Sequence, residues 1–327
     1  MNKIAIIIIA HRNPEQLFRM VTTLGNEYFD FFIHIDKKSE IKEFHSVFRN
    51  CPFQVYFTKN RINTSLMDFS LIDATMQPVI EAYNSANHYS YYALLTGQDY
   101  PIKSPEYIHS YLTKNYPVSF IDMYPCGRGV AWTEKIGTLY FSQRVRRIFR
   151  HIVGNEFYFS NKGKITVRML ANVYDRIMTK LKYSPRMLLS KLPYTYSAGS
   201  HFWILPDVII QHLIGVYQND KQLNELFQHI GAPEESYFQT AISNCSSLIL
   251  PDVDRYDNQQ DNDMDNKALR AIKWYVNGNG TGGHPAIWTI EDINYLLTRK
   301  ALFGRKFDEK VDKEVLYYLN KSFENNG

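Results

Sequence analysis

Lys3-Ile4-Ala5-Ile6-Ile7-Ile8-Ile9-Ala10, followed at once by His11-Arg12-Asn13-Pro14, decides how the rest of this 327-residue chain is read. An unbroken aliphatic run with no polar alternation is the mark of a parallel strand buried on both faces. The run is too short to cross a bilayer, and no small-residue cleavage pattern follows it, so it reads neither as a membrane span nor as a signal peptide. Directly after it, Asn13 can cap a helix and Pro14 suits the first helical position. Leu17, Phe18, Val21 and Leu24 then fall on one helical stripe.

The same strand-then-helix pattern repeats outward from this unit. Phe31 to Ile35 reads as a strand running into Asp36, and Gln54 to Phe57 as a short third strand. Ser65 with Asp68 three residues on resembles a capping box ahead of the helical positions Phe69, Ile72, Met76, Val79 and Ile80. Tyr89 to Leu95 is a fourth strand, and Ser104-Pro105-Glu106 opens another helix. This alternation predicts an α/β fold with a mostly parallel, Rossmann-like sheet flanked by helices. Beyond Phe120 the periods loosen into an aromatic, basic stretch. A strand at Phe202 to Leu205 follows, then a helix through Ile209, Leu213 and Tyr217 and another near Pro233. A last helix starts at Thr289, with Asp292 at the capping-box position.

Composition sets the class. With 45% hydrophobic and 15% aromatic residues the chain can bury a sizeable core. Cys51, Cys126 and Cys245 are odd in number and lack metal-ligand spacing, which suits reduced thiols in a cytoplasmic chain better than cystines or zinc. The net charge of +4 conceals an asymmetry: from Lys135 to Lys191 thirteen Lys or Arg face only Glu156 and Asp175, a net of +11 that leaves −7 for the rest. There Arg144, Arg146, Arg147 and Arg150 interleave with Tyr140, Phe141, Val145, Ile148 and Phe149. That mixture can lie on an anionic membrane or form a solvated face. No nucleic-acid-binding module accompanies the charge, so nucleic acid is set aside as a partner.

In open α/β sheets ligands bind beyond the carboxyl ends of the strands. That directs attention to His11-Arg12-Asn13, Asp36-Lys37-Lys38-Ser39 and Gly97-Gln98-Asp99. Asp36 can hydrogen-bond a nucleoside, and Gly97 can let a ligand approach the backbone. Equally, an Asp after a strand is a common turn former and His11 can be structural. The loop of three spaced glycines that binds dinucleotides is absent, which disfavours a dehydrogenase.

Read in order, six blocks resemble the successive signatures of the Core-2/I-branching N-acetylglucosaminyltransferase family and its peptide O-xylosyltransferase relatives. They are Ile9 to Pro14, His34 to Ser39, Thr96 to Ser104, Gly199 to Trp203, Ala232 to Thr240 and Leu302 to Asp308. The resemblance implies a glycosyltransferase-A-like fold over 1–327 as a single domain. Residues 1–120 would bind the nucleotide sugar, and residues 121–327 the acceptor and the catalytic groups. It further implies an inverting displacement on a UDP-sugar, the sugar being GlcNAc or a related one, with no catalytic metal or other cofactor. Such a transfer needs a base for the acceptor hydroxyl and positive charge for the leaving diphosphate. By resemblance the base is Glu235, with Glu234 beside it capping a helix or orienting a sugar hydroxyl. The bland alternative is two acids that merely favour a helix start.

The resemblance also places Lys306, with Arg305, against the diphosphate, and His11, Asp36 and Gly97 on the donor. Asp99 and Trp274 fall on the substrate side, with Trp132, Glu134 and Lys135 as an acceptor-contact stretch. One departure stands out: where the family has a second basic residue near His284-Pro285, this chain has Ala286 and Ile287, leaving Arg270 or His284 as the second cation. The expected partners are a nucleotide-sugar donor and a glycan acceptor, free or lipid-linked. Lacking the cystines and anchor of animal relatives, the chain fits a bacterial-type enzyme of surface-polysaccharide synthesis, cytoplasmic and able to sit on the inner face of the membrane. Two rivals remain. Asp261-Asn262-Asp263-Met264-Asp265 looks like the Asp-x-Asp of metal-dependent glycosyltransferases. A non-catalytic carbohydrate-binding protein would need only the aromatics and would tolerate loss of Glu235 and Lys306.

Overall fold

The computed structural model describes residues 3–125, 149–180, 189–251, 267–276, 279–280 and 284–324. Cys126, Trp132, Glu134, Lys135, Arg144 to Arg147 and Asp261 to Asp265 lie outside the described residues.

The quoted aliphatic run is β1 (Lys3–Ala10), and it lies between β2 (Phe29–Ile35) and β4 (Tyr89–Thr96), parallel to both. Ile8 pairs in register with Ile33 on one side and Leu95 on the other. Outside β2, β3 (Val55–Phe57) continues the parallel set. Two antiparallel strands close the other edge: β9 (Trp203–Pro206) on β4, then β6 (Phe120–Ile121) on β9. The order is therefore β3-β2-β1-β4-β9-β6, the parallel-led α/β sheet that the sequence indicates. A smaller sheet joins β10 (Arg270–Ile272), β13 (Phe303–Arg305) and β5 (Asp99–Pro101), in the order β10-β13-β5. It stitches the end of the chain onto the turn that leaves β4. Two-residue ladders pair β7 (Tyr124–Pro125) with β8 (Ser197–Ala198), and β11 (Tyr275–Val276) with β12 (Asn279–Gly280).

Because strand side chains alternate between faces, β1 feeds two cores. Ile4, Ile6 and Ile8 pack with Leu17, Val21 and Leu24 of α1 (Pro14–Leu24) and with Phe303, Phe307 and Leu316 from the chain end. Ala5 and Ile7 pack on the other face with Ile72, Met76 and Val79 of α3 (Ser70–Tyr83) and with Leu213 of the helix Asp207–Asn219. Both faces are thus covered, as the unalternated sequence of β1 demands. Trp203, wholly buried, belongs to this second core. Between these elements lie α2 (Ile41–Val47) and α4 (Pro105–Lys114), the latter capped by Ser104 Oγ, which accepts from the Tyr107 N–H at 3.2 Å.

Local capping holds in some places and yields in others. Thr289 and Asp292 form the reciprocal capping box. Asn13 does not cap α1: it sits at φ 54°, and its amide Nδ2 donates instead to Asp308 Oδ1 at 3.3 Å. The box expected at Ser65 and Asp68 also fails, since α3 starts only at Ser70. Asp68 Oδ1 accepts from the Ser70 N–H, while Ser70 Oγ accepts from the Ser65 N–H. Near Pro233 the chain makes one 3-10 turn, Pro233–Glu235, before the short helix Tyr237–Ala241. No described helix is long and apolar enough to cross a membrane.

Candidate active site

The carboxyl edge of the parallel strands is built by hydrogen bonds that the turns make with one another. Asp36, at the end of β2, accepts from the Lys38 N–H at 2.8 Å, from the Thr64 N–H at 3.2 Å and from the Thr64 hydroxyl. Burial opposes its ionisation, but these hydrogen bonds and the Lys38 charge outweigh burial and hold its carboxyl below the usual range. Arg61 clamps the same turn, donating to the carbonyls of Ile35, Asp36 and Ser39 at 2.6 to 2.9 Å. Asp36 is 3% exposed, and both its oxygens are occupied by the chain.

Gly97 is accounted for in a similar way. A Cβ there would come within 3.1 Å of the Ala10 Cβ, so its small size serves the close approach of two strand ends. Gln16 ties this corner together, donating to the carbonyls of Gly97 and Phe307 at 3.0 and 3.1 Å.

Onto this edge the closing block folds. Phe307 N–H donates to the Gln98 carbonyl at 2.8 Å, and Asp308 holds Asn13 and, at 3.5 Å, Arg12. Arg305 donates to Thr96 Oγ1 at 2.6 Å and pairs with Asp99 Oδ1 at 3.5 Å. Asp99 is wholly buried, so its carboxylate serves the protein: one oxygen faces Arg305 and the other accepts from the Thr96 N–H. Lys306, next in sequence, is half-exposed and has no carboxylate within ion-pair distance among the described residues. Burial, then the charges of Arg305 and Arg12, push its ammonium down, with Asp308 opposing. His11 is lowered as well, by desolvation and by Arg12, Lys38 and Lys306, with Asp36 opposing. Arg12, Lys38, Arg305 and Lys306 thus concentrate positive potential at the strand ends.

The acidic pair stands beside this edge. Ala232, at φ 49°, turns the chain into the 3-10 turn Pro233–Glu235, and the Gly199 N–H donates to the Glu235 carbonyl at 2.8 Å. Gly199 has to be glycine, since a Cβ there would lie 1.8 Å from the Asp122 carbonyl oxygen. Glu234 is 6% exposed, and its Oε2 has no hydrogen-bond partner among the described residues. Burial, reinforced by Glu235 and Asp68, pushes it up to about 7 despite backbone N–H donors. Glu235 is half-buried, and burial raises it too.

The segment after Gly199 joins the acids to the basic edge. The Phe202 ring lies 4.9 Å from the Arg305 guanidinium and 4.7 Å from that of Arg270. His201 stacks on Phe238 with ring centroids 6.0 Å apart, and desolvation together with Arg305 and Arg270 brings it down to about 4.

The sequence-based candidates therefore divide. Among the described residues, nothing engages the side-chain polar groups of Lys306, His11 and Glu235 in a hydrogen bond or ion pair. Asp36, Gly97, Asp99 and Arg305 lie at the same edge but are engaged in holding it. Arg270 is fully buried, donating to the Leu94 carbonyl at 2.7 Å, and so cannot be the second surface cation; His284 is exposed. Trp274, half-buried, follows β10, whose Ile272 pairs with Arg305. Sequence reasoning passed over Arg12 and Lys38 although both stand inside the quoted blocks. It also passed over Phe202 and Arg61, whose roles depend on contacts 22 or more residues away.

A parallel-led sheet with cations gathered at its strand ends and two carboxylates nearby defines an α/β protein whose strand-end edge carries positive potential. The family is narrower than the class. The Core-2/I-Branching enzyme family matches residues 4–299, and the chain belongs to it. The chain is 24% identical over 336 residues to "Xylosyltransferase 2" of Canis lupus familiaris, a match covering 97% of this chain and 33% of that protein. It is 24% identical over 338 residues to the human "Beta-1,3-galactosyl-O-glycosyl-glycoprotein beta-1,6-N-acetylglucosaminyltransferase", covering 97% of this chain and 69% of that one. The chain thus spans about a third of the length of xylosyltransferase 2. The solved S. aureus TarS 1-349 in complex with UDP-GlcNAc superposes with a TM-score of 0.26 at 13% identity, over 39% of this chain and 36% of that chain. That superposition is too partial to bear on fold or activity here.

Proposed function

We propose that this protein is an inverting glycosyltransferase that moves a sugar, GlcNAc or a close relative, from a UDP-sugar to a hydroxyl of a glycan acceptor, without a metal ion. The observation that carries the reading is Lys306: a cation with no carboxylate partner among the described residues, its charge disfavoured by burial and then by Arg305 and Arg12, at the strand-end edge of the sheet where ligands bind in open α/β folds. A diphosphate there relieves that repulsion. Membership of the Core-2/I-Branching enzyme family and the transferase names of the relatives support the same reaction.

In the proposed step the acceptor oxygen bonds to the anomeric carbon as its proton passes to the Glu235 carboxylate. The bond from that carbon to the diphosphate breaks, and the leaving charge is met by Lys306, with Arg12 and Lys38 adding to the field. Arg12 is a better second cation than Arg270, because it stands at the surface of the same edge. Asp99 and Arg305 act as positioning residues for the closing block, and Trp274 with the Trp132 to Lys135 stretch is assigned to the acceptor. The reading treats the chain as one domain working in the cytoplasm on surface polysaccharide. The half-buried free thiols of Cys51 and Cys245 are in keeping with a reducing compartment.

Calorimetry of UDP and UDP-GlcNAc against the purified chain, with and without EDTA, tests this. Micromolar binding and transfer to a glycan hydroxyl that both survive EDTA are the expected result. Activity that vanishes with EDTA and returns with manganese would transfer the reading to the metal-dependent rival at Asp261 to Asp265.

A further inference from the structure

The helix Asn161–Lys180 presents an apolar row to solvent. Ile165, Met169, Val173 and Ile177, spaced four apart on one face, are 59, 63, 52 and 51% exposed. Neighbouring Leu170 and, on the preceding short helix, Phe157 are each 40% exposed. Elsewhere in the fold the apolar periodicity of a helix is spent on a core, as in α1 and α3. A contiguous exposed row of this kind marks a contact surface.

Charge identifies the occupant. Lys162, three residues before Ile165, and Lys180, three after Ile177, are exposed at the two ends of the row and on its own face. The helix also carries Lys164, Arg168 and Arg176 against Asp175 alone. It sits in the segment whose net charge is +11 in a chain otherwise at −7. A second copy would fit poorly. Stripe against stripe in antiparallel pairing sets Lys162 against Lys180, and in parallel pairing each lysine meets its twin. An anionic lipid surface satisfies both features, with aliphatic side chains between acyl chains and lysine ends raised to the phosphates. The helix is about 30 Å long and is not apolar enough to span, so it lies in the plane of the surface.

We propose that Asn161–Lys180 is a membrane-docking helix that inserts Ile165, Met169, Val173 and Ile177 into an anionic bilayer, with Lys162 and Lys180 among the lipid phosphates. The proposal stands apart from the transfer reaction and can fail or survive independently of it.

Its test is flotation of the full chain with vesicles of phosphatidylcholine containing 30% phosphatidylglycerol, against pure phosphatidylcholine. Binding to the anionic vesicles should be about tenfold or more the stronger and should fall as salt rises, because exposed charges are screened within roughly 10 Å at moderate ionic strength. Replacing Lys162 and Lys180 together by Ala should weaken it by about fivefold per lysine. Val173→Glu should abolish it while leaving the circular-dichroism melting curve unchanged, since the side chain touches solvent. Equal binding to neutral vesicles, no vesicle binding, or a lipid-independent dimer dissolved by Val173→Glu would each overturn the proposal, the last in favour of a second copy.

Discussion

The two sides of the candidate site follow opposite electrostatic plans. On the basic side most charges are answered within the chain: Arg12 by Asp308, Lys38 by Asp36, Arg305 by Asp99 and Thr96. Lys306 alone of this group has no carboxylate answering it among the described residues. On the acidic side little is compensated. Glu234 has one oxygen without a hydrogen-bond partner among the described residues, Glu235 sits next to it, and burial raises both. The difference teaches that the fold answers most of the cations at this edge within the chain but keeps its carboxylates in surroundings that disfavour their charge. Perturbed acids that a fold maintains at a cost are what base catalysis requires.

Glu235→Gln is the sharpest way to break the comparison. The amide keeps the size and hydrogen bonding of the side chain but cannot take a proton from a sugar hydroxyl. Turnover should fall by about 10²- to 10⁴-fold, the usual worth of a positioned base. Donor affinity, set on the basic side, should change little, so calorimetry of UDP-sugar binding should match the wild type. Near-normal turnover would remove Glu235 from the role and leave Glu234 to be tested.

How far this site could be read from the sequence depends on the range of the contacts. The strands and α1 are legible because burial on two faces and Pro14 are local signals, and the Thr289–Asp292 box is legible because both partners lie within one turn. Asn13 misleads because the group that claims its amide, Asp308, is 295 residues away. Asp36 and Asp99 illustrate the same limit at the site: the blocks locate them at the edge, but only the fold reveals that their oxygens are taken by Thr64 and Arg305. The apolar row of Asn161–Lys180 is present as a period in the sequence, yet its exposure is a property of the tertiary structure.

Lys306→Met and Arg305→Met separate an uncommitted cation from a committed one. Losing a charge-assisted contact to a diphosphate costs about 1.5 to 3 kcal/mol, so Lys306→Met should weaken UDP binding roughly 10- to 100-fold. Its urea midpoint should stay near that of the wild type. Arg305→Met leaves the buried Asp99 carboxylate without its ion-pair partner, and a loss of about 3 kcal/mol of stability is expected. If the two variants behaved alike in both measurements, the division between free and engaged cations would be untenable.

Glu234→Gln should have the smallest effect on turnover, under about tenfold, because its carboxylate is enclosed and its expected task is orientation. Its signature is instead in stability against pH. In the unfolded chain the carboxyl loses its proton near its ordinary value of 4.5, whereas in the folded protein burial pushes it up to about 7. Between those values the folded state binds more protons, so stability falls as pH rises. The contribution is full below 4.5, is lost through 7 and is flat above. Gln cannot titrate, so relative to wild type the variant should gain between about 1 and 3 kcal/mol as pH is raised from 4.5 to 8. Urea unfolding of both proteins at pH 5, 6, 7 and 8 measures this. Asp73 and Glu81, which burial raises as well, cancel in the difference. Parallel pH profiles would mean that the Glu234 carboxyl is solvated or paired, and the contrast between the two sides of the site would then rest on Glu235 alone.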